Sequence, residues 1–196
     1  MTSEQSGDGG GPDAGGQTSW SFALLLGAAD LPGGPWAIEE ERSWPTGQLD
    51  PESAKSRRAL EAGGITAWRK LAEAGTSRSA WAEVVPYSTA EDAGLSLVQV
   101  PKFFLGPLRP DETVLDERVV HGREVPGLPG PWILDKSSRG PQGDVEARYV
   151  AGTVGPVLSI TCFSGRFGDW TWPDVVRLSA AQADAVRRAV SVARDQ

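Results

Sequence analysis

The chain is 196 residues long, enough for one domain with a buried core, and carries a formal net charge of −7. That balance argues against a general nucleic-acid binder or a binder of anionic membrane surfaces, since both need a basic footprint. With one cysteine and one histidine, no intrachain disulfide can form and a structural zinc site lacks ligands.

Residues Thr2 to Thr18 are mostly Gly, Ser, Asp and Gln with one proline, and 1–18 reads as a disordered leader. The remainder, 19–196, reads as a single domain. No basic stretch followed by an apolar run opens the chain, and the apolar run Phe22 to Ala29 is too short to span a bilayer. Together with the lone cysteine, this predicts a cytoplasmic location.

Trp20 to Ala29 is a helix candidate with Ser19 as cap, ended by Asp30 to Pro35. Trp36 to Ser43 reads as a strand with a charged face. Asp50 to Ala62 reads as an exposed helix opened by Asp50-Pro51. Ile65 to Ala72 and Ser79 to Tyr87 read as strands two and three. Ser88-Thr89-Ala90-Glu91 has capping-box spacing and opens a helix carrying Ala90, Ala93, Leu97 and Val98, which Pro101 should stop or kink. Thr113 to His121 reads as strand four, with Leu115 and Val119 opposed to Asp116 and Arg118. Val125 to Gln142, with four prolines and three glycines, reads as a long loop with a short strand at Trp132 to Leu134.

Val145, Ala147, Tyr149 and Ala151 alternate with Glu146, Arg148 and Val150, and Leu158, Ile160 and Cys162 alternate with polar residues. Gly155-Pro156 between them is turn punctuation, so the pair predicts an antiparallel hairpin with one wet face. Trp170 to Asp174 starts a closing helix with Thr171 as cap, and a second start signal stands at Ser179 to Gln182. Val186, Ala189, Val190 and Ala193 form its inward stripe, with Arg187, Arg188, Ser191 and Arg194 outside. The fold class is α+β: a single, mainly antiparallel sheet with packed helices.

Leu24 to Pro32, Pro86 to Ala93 and Gly155 to Arg166 together resemble small actinobacterial sensor-like domains. Such domains are found outside some mycobacterial serine/threonine kinases and in lipoproteins, and are similar in outline to the PsbP-like α/β/α sandwich. The resemblance covers the chain after the leader and implies binding of a ligand or partner rather than catalysis. The kinase sensor domains carry disulfides and lie outside the cell, whereas this chain has one cysteine and no recognised export signal. No motif with an assigned role matches, so no functional residue carries over.

Chemistry-bearing constellations are sparse. Glu39 to Glu41, or Asp111 with Glu112, could hold a hard cation, but such runs are usually solvated faces. Cys162 falls on the apolar phase of its strand, where a thiol packs rather than reacts, so a dyad with His121 is the weaker reading. There is no G-x-G-x-x-G, P-loop or G-x-S-x-G, and no cofactor is expected. Eight tryptophans are unusual for this length. Trp36, Trp68, Trp81 and Trp132 read as core or sheet surface. Trp170 and Trp172 flank Thr171 after a glycine-bracketed corner, one plugging the sandwich end and the other covering it, or together forming an aromatic platform.

The reading that follows is a non-enzymatic binding or accessory domain for a protein partner or small ligand. Its guessed contact residues are Arg166, Trp170 and Trp172, since Arg and Trp are enriched in binding hot spots. An enzyme with dispersed acid–base residues, or an interaction-only immunity or scaffold protein, are the alternatives. No catalytic residue and no metal ligand is assigned.

Overall fold

The computed structural model describes residues 22–48, 50–141 and 143–194. The leader, Ser19, Trp20 and the Arg194 side chain lie outside the described part. Seven strands form one antiparallel sheet in the order β1-β2-β3-β7-β6-β5-β4. They are β1 (Trp36–Pro45), β2 (Ile65–Glu73), β3 (Ser79–Pro86), β4 (Thr113–Val119), β5 (Trp132–Gly140), β6 (Gly143–Val154) and β7 (Val157–Gly165). Among the described residues, the helices α1 (Ala54–Glu61), α2 (Ala90–Leu97), α3 (Pro101–Phe104) and α4 (Trp172–Arg194) accompany them. The α+β class and the antiparallel sheet agree with the sequence.

The sheet is covered on both faces. On one, α4 and Leu24 to Leu26 pack over Leu71, Val84, Ile133, Val150 and Phe163. On the other, α2 and α3 bring Val100 and Phe104 onto Ala151, Leu158, Ile160 and Tyr149. The expectation of one wet face on the β6–β7 hairpin is therefore corrected. These two strands lie near the middle of the sheet, and Glu146, Arg148, Ser159 and Thr161 are buried with the apolar residues. The Ser159 and Thr161 hydroxyls are matched from above. Ser179 and Thr161 share a hydroxyl hydrogen bond of 2.7 Å, and Gln182 Nε2 donates to Ser159 Oγ at 3.0 Å. Ser179 thus sits inside one continuous helix rather than starting a second one. That helix is capped by Thr171, whose Oγ1 accepts from Asp174 N at 3.3 Å.

Other boundaries shift for identifiable reasons. Only Phe22 and Ala23 of the first helix candidate are helical within the described residues, and Ala28–Asp30 form one 3-10 turn. Helix α1 opens at Ser53, whose Oγ accepts from Ser56 N, and buries Ser56 and Ala59. Helix α2 is capped by Thr89 rather than Ser88 and ends at Leu97. Pro101 then opens α3 at its first turn, where its missing N–H costs nothing. Val98, read from sequence as part of this helix, is its C-cap and is 70% exposed.

The long loop predicted from Val125 ends early. Residues 120–131 connect β4 to β5, with a Val125–Leu128 bridge inside, and Trp132 to Gly140 is a full strand. Glycine and proline density outweighed the strand signal in that reading. Leu115 is 47% exposed, because β4 bulges between Val114 and Asp116 and loses its inward phase.

Candidate functional site

Strand β3 turns Ala80, Ala82 and Val84 towards the α4 face and Trp81, Glu83, Val85 and then Tyr87 towards α2 and α3. Both phases of the strand are covered, so Glu83 occupies a position that an apolar residue would normally fill. It borders a cavity of about 570 Å³ between the sheet and helices α1, α2 and α3. That volume lies in the range of small-molecule sites.

The floor of the cavity is apolar: Val85 of β3, with Leu158 and Ile160 of β7. Its walls carry four aromatic rings, Trp44, Tyr87, Phe103 and Phe104. Phe104 is held by stacking between Trp81 and Trp132, at centroid distances of 5.9 and 6.1 Å. Phe103, at 71% exposure, marks where this side of the cavity meets solvent.

The polar walls are fixed by contacts between α1 and α2. Arg58 forks onto the Asp92 carboxylate, and Lys55 Nζ donates to Ser96 Oγ at 2.9 Å. Arg58 holds the Asp92 carboxyl below its ordinary range, with the Thr89 hydroxyl assisting and burial opposing. Gly47 allows the β1–α1 loop to lie against α1: its φ is 91°, and a Cβ there would stand 2.5 Å from the Ser56 carbonyl oxygen.

Among the described residues, no hydrogen bond or ion pair reaches the Glu83 carboxyl. Burial alone pushes it up to about 7. Burial also raises the Tyr87 phenol, the Ser96 hydroxyl opposes this, and the nearby Glu83 and Asp50 carboxylates add to it. An acid raised towards neutrality in a concavity marks a candidate binding or reaction site.

The corner named from sequence is placed differently. Trp170 is 3% exposed and belongs to the core, with Phe163 at 5.0 Å, Trp36 at 5.7 Å and the Arg78 guanidinium 4.5 Å above its ring. Its Nε1 donates to the Ser164 carbonyl at 3.0 Å. It therefore leaves the contact set. Trp172 covers the neighbouring end, with the Arg123 and Arg148 guanidiniums 4.5 and 4.9 Å from its ring. Arg166 is exposed, and Phe167 beside it is 88% exposed. The Asp169 carboxylate accepts from Arg166 N at 2.7 Å, so the acid fixes the turn rather than the guanidinium. The structure thus separates Trp170 from Arg166 and Trp172.

The remaining sequence candidates lie away from the cavity lining. Cys162 is buried, its thiol is pushed up to about 12, and its polar neighbours are Tyr149 and Trp81. His121 is exposed beyond β4. Glu39 pairs with Lys70 at 2.8 Å, Glu41 with Arg69 at 2.6 Å, and Glu40 with Arg42. Glu112 accepts from Leu108 N at 2.7 Å.

The architecture defines a class of α+β domain in which one antiparallel sheet is layered by helices on both faces. The extracellular domain of PknH from Mycobacterium tuberculosis shares this fold. The TM-score is 0.57 at 12% sequence identity, over 87% of this chain and 96% of that one. The Rv0999 ortholog from Mycobacterium smegmatis aligns at a TM-score of 0.46 and 12% identity, over 87% of this chain and 98% of that one. No family model matches the chain. No curated protein matches it.

Proposed function

We propose that this is a non-enzymatic recognition domain that takes a small ligand into the cavity between the sheet and helices α1 to α3. The observation that carries the reading is Glu83, an unpaired acid on the wall of a cavity of about 570 Å³. A half-buried acid without a partner, desolvated by the cavity wall, costs stability, and such costs persist where a site uses them. The fold shared with the PknH extracellular domain, and the resemblance to sensor-like domains, support recognition as the role.

The test is native mass spectrometry of the protein purified from its own host. A retained small-molecule adduct is expected in the wild type. Gln99 lines the cavity from the turn between α2 and α3, and Gln99→Trp should abolish the adduct without unfolding the domain. Wild-type protein that never carries an adduct, or a variant that keeps it, refutes the assignment.

A second reading is general acid–base catalysis, favoured by one observation: the Glu83 carboxyl is held near 7, where a proton-transfer group works best. The same spectra separate the two. Recovery of the ligand at unchanged mass after incubation supports binding. Conversion by the wild type, absent in Glu83→Gln, supports catalysis.

A further inference from the structure

We propose that the ligand of this cavity is an organic cation, an ammonium group on an apolar body, held by the Glu83 carboxylate and the surrounding aromatic rings. This rests on the cavity being the binding site and adds the chemical class of its occupant.

Charge balance is the first argument. Asp50 and Glu83 are the acids lining the cavity, and Lys55 is its one lining cation among the described residues. Lys55 is already engaged, donating to Ser96 at 2.9 Å from the α1 side. The linings contributed by β2, β7, α2 and α3 are uncharged, and Tyr87 is the other titratable neighbour on the β3 side. An occupant bringing an anion would meet two carboxylates against the single ammonium of Lys55, which already gives one N–H to Ser96. An occupant bringing a positive charge supplies the counter-charge that Glu83 lacks.

The rings are the second argument. Trp44, Tyr87, Phe103 and Phe104 border the same space, and ring faces attract a desolvated cation. Val85, Leu158 and Ile160 leave room only for apolar matter on the floor, so a bare metal ion or a small polyamine fits less well than a cation with an apolar body. The third argument is the field of the whole chain. A net charge of −7 concentrates cations around the protein and disfavours anionic guests.

The experiment compares three molecules of one shape by isothermal titration: tryptamine, the corresponding alcohol tryptophol, and indole-3-acetate. At pH 8, tryptamine is expected to bind about tenfold or more tightly than tryptophol, a difference of the size that one buried ion pair supplies. Indole-3-acetate should bind least. Glu83→Gln should bring tryptamine and tryptophol to within about twofold of each other, because the amide retains the hydrogen-bonding shape but not the charge. Tryptamine affinity should rise between pH 6 and pH 8 in the wild type, as the Glu83 carboxyl ionises while the amine stays protonated. The variant should show no such rise.

Two other results overturn the assignment. Tryptophol binding as tightly as tryptamine, with both lost in Gln99→Trp, leaves the cavity a binding site but refutes the cation. Failure of tryptamine to bind the wild type also refutes the cation, while the adduct seen by native mass spectrometry still decides the cavity.

Discussion

Replacing Trp170 by alanine removes the ring that closes the sheet end between Trp36 and Phe163. Truncating a buried aromatic to alanine costs about 3–5 kcal/mol through lost transfer energy and the cavity left behind. Two further losses follow. The Ser164 carbonyl loses the indole N–H at 3.0 Å, and Arg78 loses the ring 4.5 Å below its guanidinium. With these, the sum is about 4–6 kcal/mol, a large share of the stability of a typical domain. For a chain of this length, that corresponds to a fall of about 8–24 °C in Tm. Urea unfolding followed by far-UV circular dichroism measures it. Trp170→Phe keeps a ring for Phe163 and Trp36 and should lose only about 1–2 kcal/mol. Arg166→Ala, at an exposed position, should move the midpoint little. If Trp170→Ala unfolds within about 1 kcal/mol of the wild type, the ring does not close the core and the corner reverts to an exposed contact surface.

Val186→Asp places a carboxylate at a fully buried position on α4 and should destabilise by about 3–5 kcal/mol in the same unfolding assay. Wild-type stability in that variant would mean that α4 presents another face to the sheet. Glu83→Gln should stabilise the protein at neutral and higher pH, by up to about 3 kcal/mol, since every tenfold rise in the proton affinity of a folded-state acid corresponds to about 1.4 kcal/mol. The sign follows from linkage: an acid raised in the folded state destabilises that state as pH rises from the unfolded value to about 7. The gain should therefore be present at pH 8 and nearly absent at pH 4. A gain independent of pH would refute the buried-acid reading.

Period-two and capping patterns carried most of the fold. Strands β1 to β4, the hairpin of β6 and β7, and the cap at Thr171 were all readable, because each is set by neighbours within a few residues. Three features were not. Strand β5 was read only over Trp132 to Leu134, because its second half, Asp135 to Gly140, carries no apolar residue to report a strand phase. The bulge in β4 flips Leu115 outward, and no local signal announces it. The covering of both hairpin faces depends on α4 arriving from one side and α2 and α3 from the other, which alternation along β6 and β7 does not report. Glu146 and Arg148 look like a wet face because they are charged. They are buried as a pair at 2.6 Å, with Gly168 N donating to the second Glu146 oxygen at 3.0 Å.

The candidate site was hidden for a related reason. Arg and Trp types pointed to the corner after β7, where residue chemistry is conspicuous, while Glu83 sits in a run that reads as an ordinary strand. A signal was present nonetheless. Ser79 to Pro86 is apolar on both phases, with Trp81, Val85, Ala80, Ala82 and Val84, which is the pattern of a strand buried on both sides. A lone acid on such a strand cannot reach solvent by choosing a face, so it must be paired, neutral or bordering a cavity. Pairing needs a basic residue brought across by another element, and Lys55, the lining cation, points to Ser96 instead. Of the three outcomes, the fold leaves Glu83 bordering a cavity, with its carboxyl pushed up to about 7. Only a guest carrying its own charge would change that.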